Sequence, residues 1–144
     1  MVTALDVAKV LVNYQNQEDS DLSNLKLQKL VWYCLGFCGA LTGKKLFDDE
    51  IKAWEHGPVV PTLYHELKKF GRNPVELDVN PDLEEKFEKE QLEVIYEVAE
   101  VFGKYSAWKL RNMTHEEAPW LNHESTAGTI PFNEIVEYFK TRLN

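Results

Sequence analysis

The side chains in this sequence that could do acid–base or ligand chemistry are concentrated in two short stretches. One is Trp54-Glu55-His56-Gly57-Pro58 and the other is Thr114-His115-Glu116-Glu117-Ala118-Pro119-Trp120. Histidine titrates near neutrality and can pass a proton or bind a metal. A small enzyme could therefore use His115 and Glu116 near His56. The second stretch is not a zinc-protease motif, because Pro119 stands where the second histidine of His-Glu-x-x-His would fall. His65 and His123 complete the four histidines, and their spacing fits no metal-site template. No Ser-His-Asp arrangement, nucleophile elbow or Gly-rich phosphate loop occurs. No catalytic residue, cofactor or metal is expected.

Both stretches also have structural readings. Glycine tolerates positive φ, and the position before proline disfavours α geometry. Gly57-Pro58 is thus a turn that ends an extended segment. It is either the rim of a binding site that presents His56, or a corner that aims Trp54 into the core and starts the next helix. Thr114 can cap a turn with Glu117, three residues on, as its capping-box partner. His115 then bonds backbone and Trp120 closes the core. Lys26 and Lys29 lie in Leu25-Lys26-Leu27-Gln28-Lys29-Leu30. Their stems can run along apolar surface while their heads meet carboxylates. Glu90, Glu93, Glu97 and Glu100 recur on one helical face, either a solvated face or a docking surface that steers a basic partner.

The elements that must position these residues are mostly helical. Thr3 and Asp6 form a capping-box pair ahead of a stripe at Val7, Ala8, Leu11 and Tyr14. Gln15 to Asp21 is polar and reads as a loop. Ser23 can cap a second helix that ends at Gly43 and is apolar on all sides from Leu30 onward, which marks a buried central helix. Lys26 and Lys29 fall on its first turns, ahead of the buried part. Gly36, Gly39 and Gly43 share one side, which suggests close approach by another element. Glu50 to Glu55 alternates at period two, a short strand and half of a small hairpin. Pro61 suits the first turn of a third helix that ends near Gly71. An extended piece is expected at Val75 to Val79. A fourth helix, with a break, runs from Asp82 to Phe102, its core stripe at Leu92, Ile95, Tyr96, Ala99 and Phe102. Ser106 can cap a short fifth helix with Trp108, Leu110 and Met113. Asn122 to Thr129 reads as a mobile polar segment. Pro131 opens a last helix with Phe132, Ile135, Val136, Phe139 and Leu143 inward. The fold expected is mainly α: a compact single domain, 1–144, of five to six helices around a buried central helix, with a small β element near residues 50–54.

At 144 residues the chain can bury a substantial core. Its 12% aromatic content argues against disorder. The net charge of −8 repels phosphates, and no basic run exceeds Lys68-Lys69, so nucleic acid is not an expected partner. Residues 82–103 hold eight acids and two lysines, so most of the excess charge is local. The apolar run Leu30 to Leu41 is about half the ~20 residues that span a bilayer, and no membrane partner is expected. Cys34 and Cys38, four apart in that run, read as buried free thiols and imply the cytoplasm.

Taken in order, Leu25 to Tyr33, Ile51 to Tyr64 and Leu110 to Trp120 resemble the Panacea antitoxin domain family, which includes SocA-like and many phage-associated proteins. The resemblance spans Ala4 to Phe139. It implies a protein that neutralises a cognate toxin by direct contact, without catalysis, and that in SocA-like relatives also delivers the toxin to a host protease. It assigns the family-motif positions Lys26, Lys29, Trp54, His56, Gly57, Pro58, Thr114, His115, Glu116 and Trp120. The family usually carries a Tyr-like aromatic before Gly-Pro; His56 departs from that, so a role for the phenol hydroxyl does not carry over. The alternatives are the small enzyme above and a phage or prophage accessory protein that binds a host protein.

Overall fold

Helix α2, Asn24–Thr42, is the axis on which the other elements pack. The structure is a computed structural model that describes residues 1–15 and 20–143. Those residues carry seven α-helices: α1 Ala4–Tyr14, α2, α3 Pro61–Leu67, α4 Lys89–Phe102, α5 Ala107–Thr114, α6 Ala118–Leu121 and α7 Phe132–Lys140. The sheet is one antiparallel hairpin, β1 Lys52–Trp54 and β2 Gly57–Val59. The mainly α architecture with a small β element is as the patterning predicts. The helix count is higher because the Thr114 to Leu121 stretch holds the four-residue α6. The Gln15 to Asp21 loop lies partly outside the described residues.

Local rules account for the helix starts. Thr3 Oγ1 accepts the Asp6 N–H at 3.2 Å while Asp6 Oδ2 accepts the Thr3 N–H at 3.0 Å, a reciprocal box. Ser23 Oγ accepts the Lys26 N–H, and Gly43, at φ 75°, closes α2 in the left-handed region. Gly36 and Gly39 serve close packing against α7. A Cβ at Gly36 would stand 2.2 Å from the Phe139 ring, and one at Gly39 3.0 Å from Phe132. Gly43 faces open space and serves only as the cap. Where α2, α4 and α7 meet, Tyr33 stacks on Phe102 at 4.2 Å and Trp32 meets Phe139 edge-on at 5.5 Å. Such pairs add about 0.5–1.5 kcal/mol each beyond area burial.

Several expectations are corrected. The first turns of α2 are as buried as its middle: Lys26 is 0% and Lys29 1% exposed. The stripe of α4 is rotated, with Val94, Ile95, Val98 and Phe102 buried and Leu92, Tyr96 and Ala99 only partly so. Tyr96 sits at the edge because its hydroxyl donates to Glu84 and its ring packs on Tyr14. The polar segment after α6 is tied down: Gly128 O accepts the Ala53 N–H and Ile51 O accepts the Ile130 N–H, both at 2.9 Å, so it edges the hairpin. Cys34 and Cys38 are free and buried, as read from their spacing. Among the described residues no helix is long and apolar enough to cross a membrane.

Candidate functional site

The second turn of α2 and the hairpin are locked together by two adjacent side chains. Lys29 Nζ donates to Pro58 O at 2.9 Å. Gln28 Oε1 accepts the Val60 N–H at 2.8 Å, and its amide is fixed by Asn24 Oδ1 at 3.0 Å. Both backbone groups are buried, and one left unmade costs about 1–3 kcal/mol. Gly57 makes this approach feasible. Its φ is 106°, and a Cβ there would lie 2.5 Å from Thr114 Oγ1 and 3.0 Å from Lys29 Cε. Gly57-Pro58 therefore does not end the extended segment; it opens the returning strand. Nor does the turn aim Trp54 inward. Ala53 takes the inward position, and Trp54 stays half-buried, edge-on to Tyr64 at 5.3 Å. Burial, reinforced by the Arg111 charge, lowers the Lys29 amine to about 7, with Glu117 opposing. The expected carboxylate partner for Lys29 is absent among the described residues; a carbonyl takes that place.

From the other side, α5 and α6 hold each residue of the turn. Trp120 Nε1 donates to Trp54 O at 2.7 Å. His115 Nε2 donates to Glu55 O at 2.9 Å, since a carbonyl can only accept. The His115 ring lies 4.1 Å from that of Trp120, and burial lowers its pKa. Arg111 Nε donates to His56 Nδ1 at 3.1 Å while its guanidinium covers the Trp108 ring at 4.3 Å. His56 stays exposed, and Trp108, in the short fifth helix as expected, is 56% exposed. The structure thus brings Lys29, Trp54, His56, Gly57, Pro58, Thr114, His115 and Trp120 into one constellation.

Two expected roles do not hold in the second stretch. Thr114 ends α5 and its Oγ1 donates back to Arg111 O at 2.8 Å, so it caps nothing downstream. Glu117 turns inward instead of closing a box. Its carboxylate accepts from Trp32 Nε1 at 2.9 Å, Tyr33 OH at 2.7 Å and Arg142 at 3.3 Å. Burial raises its pKa, while these donors act against the rise. Glu116 is exposed and bonds neither His56 nor His115.

The remaining expected site residues lie elsewhere. Lys26 joins Asp21 at 2.7 Å and Gly103 O at 2.6 Å, tying α2 to the end of α4. It meets a carboxylate, as its type suggests, but bonds no residue of the hairpin constellation. Glu90, Glu93, Glu97 and Glu100 are all exposed on α4. The first three border an open groove of about 730 Å³ floored by apolar Phe37, Leu41 and Val101, whereas Glu100 turns aside to accept from the Tyr14 hydroxyl. His65 is exposed and His123 pairs with Glu134 at 3.0 Å. Among the described residues no group of three or more His, Cys, Asp or Glu side chains could hold a metal.

Sequence reasoning missed Gln28, Arg111, Trp108 and Glu117 as builders of this region. Gln28 had a visible signal, a polar residue flanked by leucines and lysines on a buried helix. Glu117 had none, because an acid three residues after Thr114 fits a capping box equally well. A second, larger groove of about 990 Å³ opens beside the constellation between α2, the hairpin, α3 and α5.

The family model described as antitoxin SocA-like, Panacea domain, matches residues 27–121. That span holds the hairpin and both stretches with the histidines, and begins one residue after Lys26. No curated protein and no solved structure matches the chain.

Proposed function

The chain belongs to the SocA-like Panacea antitoxin domain family, and from that premise we propose that it neutralises a cognate toxin by direct protein–protein contact. One observation carries the reading. The three distinctive segments converge on Lys29 and hold the turn at residues 54–58 from both sides, which leaves His56, Trp108 and Arg111 on a fixed outer surface. Preorganised aromatic and arginine side chains suit a binding surface, because little freedom is lost on association. The acidic α4 face serves to steer a basic partner. The free, buried Cys34 and Cys38 support action in a reducing cytoplasm.

A small enzyme built on His115, Glu116 and His56 has less support. The His115 Nε2 proton is engaged by Glu55 O, and Glu116 is exposed and bonds neither imidazole. The test is co-expression with the product of the neighbouring reading frame. Restored growth with the two proteins co-purifying supports neutralisation by contact. A toxin level that also falls, and recovers in a protease-deficient host, points to delivery to that protease. Growth that stays arrested refutes the proposal.

A further inference from the structure

The larger groove is unusual in this acidic chain, because its charge is inverted. The chain carries 24 acids against 16 lysines and arginines. Among the described residues that line the groove, Glu55 is the one acid, against three basic residues, Lys29, Lys68 and Arg72. These basic side chains come from α2, the turn after α3 and the loop beyond it; exposed Lys68 and Arg72 carry the groove's positive charge, while the Lys29 amine is buried. Lys68 and Arg72 are exposed, and their side chains form no ion pair or hydrogen bond among the described residues. Lys29 spends one of its three donors on Pro58 O. The start of α2 lines the same groove. The Ser23 hydroxyl takes the Lys26 N–H, leaving the earlier N–H groups of the first turn without an intrahelical partner. The lining is aromatic: Trp54, packed edge-on to Tyr64, and the exposed Trp108.

We infer that this groove docks an acidic, aromatic-containing segment of the partner protein, whose carboxylates meet Lys68, Arg72 and the α2 start while its apolar side chains lie against Trp54 and Trp108. The inference rests on the reading of this chain as a protein binder and gives that partner a local chemistry. A carboxylate accepts two charge-assisted hydrogen bonds in one plane and suits an arginine beside a helix start. Nucleic acid fits less well. Tight backbone binding draws on about 6–10 phosphate contacts, and this groove offers three basic side chains inside a strongly acidic molecule. A basic partner steered by the α4 face can still anchor through one acidic segment, since steering and docking involve different faces.

The experiment follows backbone amide and indole resonances of the intact protein by NMR. The probe is an acetylated, amidated pentapeptide of alternating glutamate and phenylalanine. Its glutamine counterpart, inorganic phosphate and oligothymidylate are the comparison arms. The glutamate peptide should move the Trp54 and Trp108 indole signals and the Asn24 and Leu25 amides. The glutamine peptide should bind about tenfold more weakly or worse, and K68Q/R72Q should weaken the glutamate peptide similarly without disturbing the rest of the spectrum. Equal binding of the glutamine peptide, tighter binding of phosphate or oligothymidylate, shifts outside the groove, or no response to the glutamate peptide would each overturn the inference. The same variant then enters the co-expression assay. Loss of neutralisation together with peptide binding supports partner docking here. Loss of peptide binding with neutralisation intact removes the groove from the partner's interface and leaves the antitoxin reading standing. Failure of the wild-type chain to neutralise removes that reading and, with it, the partner assigned to the groove.

Discussion

Gly57→Ala should be the most damaging methyl addition in the constellation. Two penalties act together. The backbone at Gly57 has φ 106°, and holding an L-residue at positive φ costs about 1–2 kcal/mol. The new methyl would also stand 2.5 Å from Thr114 Oγ1 and 3.0 Å from Lys29 Cε. Neither neighbour can retreat freely, since Thr114 is bonded to Arg111 O and Lys29 to Pro58 O. Overpacking of this kind costs about 1–3 kcal/mol. The sum, about 2–5 kcal/mol, is a large part of the ~5–15 kcal/mol that holds an ordinary domain. Urea unfolding followed by far-ultraviolet circular dichroism measures it as a fall in midpoint at unchanged slope. Adding Thr114→Ala should relieve the closer of the two contacts and leave the backbone part, giving a favourable coupling of about 1–2 kcal/mol. A Gly57→Ala variant within about 0.5 kcal/mol of wild type, or a double variant with no coupling, would refute the close approach of hairpin, α2 and α5.

Glu117→Ala should cost about 2–5 kcal/mol in the same assay, because it strips the acceptor from Trp32 and Tyr33 and the counter-charge from Arg142. Glu117→Gln should cost less, and its pH behaviour is diagnostic. Burial raises the folded pKa above the ordinary glutamate value, so this carboxyl favours the fold most when protonated and loses that contribution as pH rises through the raised pKa. The stability advantage of wild type over Glu117→Gln should therefore grow as pH falls through that window, and a level difference would count against it. Lys29 has the opposite sign. With its amine lowered to about 7, wild type should gain on Lys29→Met by about 1.4 kcal/mol per pH unit between about pH 7 and pH 10; a difference that shrinks over that range would contradict the burial argument. Replacing Glu90, Glu93, Glu97 and Glu100 with glutamine should change stability by no more than about 0.5 kcal/mol each. It should slow partner association at low salt, and stopped-flow rates insensitive to both salt and the substitutions would reduce the stripe to a solvated face.

Much of the scaffold was legible because local chemistry dictated it. Thr3 with Asp6, Ser23, Gly43 and Pro61 all follow from capping, proline and glycine rules that act over three or four residues. The burial of α2 followed from its lack of a polar face. Orientation was less legible. The α4 stripe could be drawn through Leu92 and Tyr96 or through Val94 and Val98, since both have helical period, and only packing on α1 and α2 selects the second. The distinctive patterns mark Gly57-Pro58 and Thr114 to Trp120 as turns to be packed beside the start of the central helix, but their wiring was illegible. His115 was correctly read as bonding backbone. Thr114 and Glu117 had a valid local pairing that tertiary donors outcompete, because the buried Trp32 and Tyr33 polar atoms need an acceptor. The basic groove escaped notice because Lys29, Lys68 and Arg72 lie up to 43 positions apart in the chain, and only the fold makes them neighbours.

The central claim, neutralisation by contact, is tested most directly by titrating the purified protein into a fixed amount of the toxin from the neighbouring reading frame while recording toxin activity. Binding at a defined interface predicts a linear fall in activity that ends at a fixed stoichiometric ratio, with no further loss on longer incubation. Trp108→Ala, which removes an exposed side chain of the motif surface, should weaken that titration while leaving the unfolding midpoint in place. Complete neutralisation at far below one equivalent, progressing with time, would show turnover and contradict the account. So would toxin activity that is unchanged at a large excess of this chain.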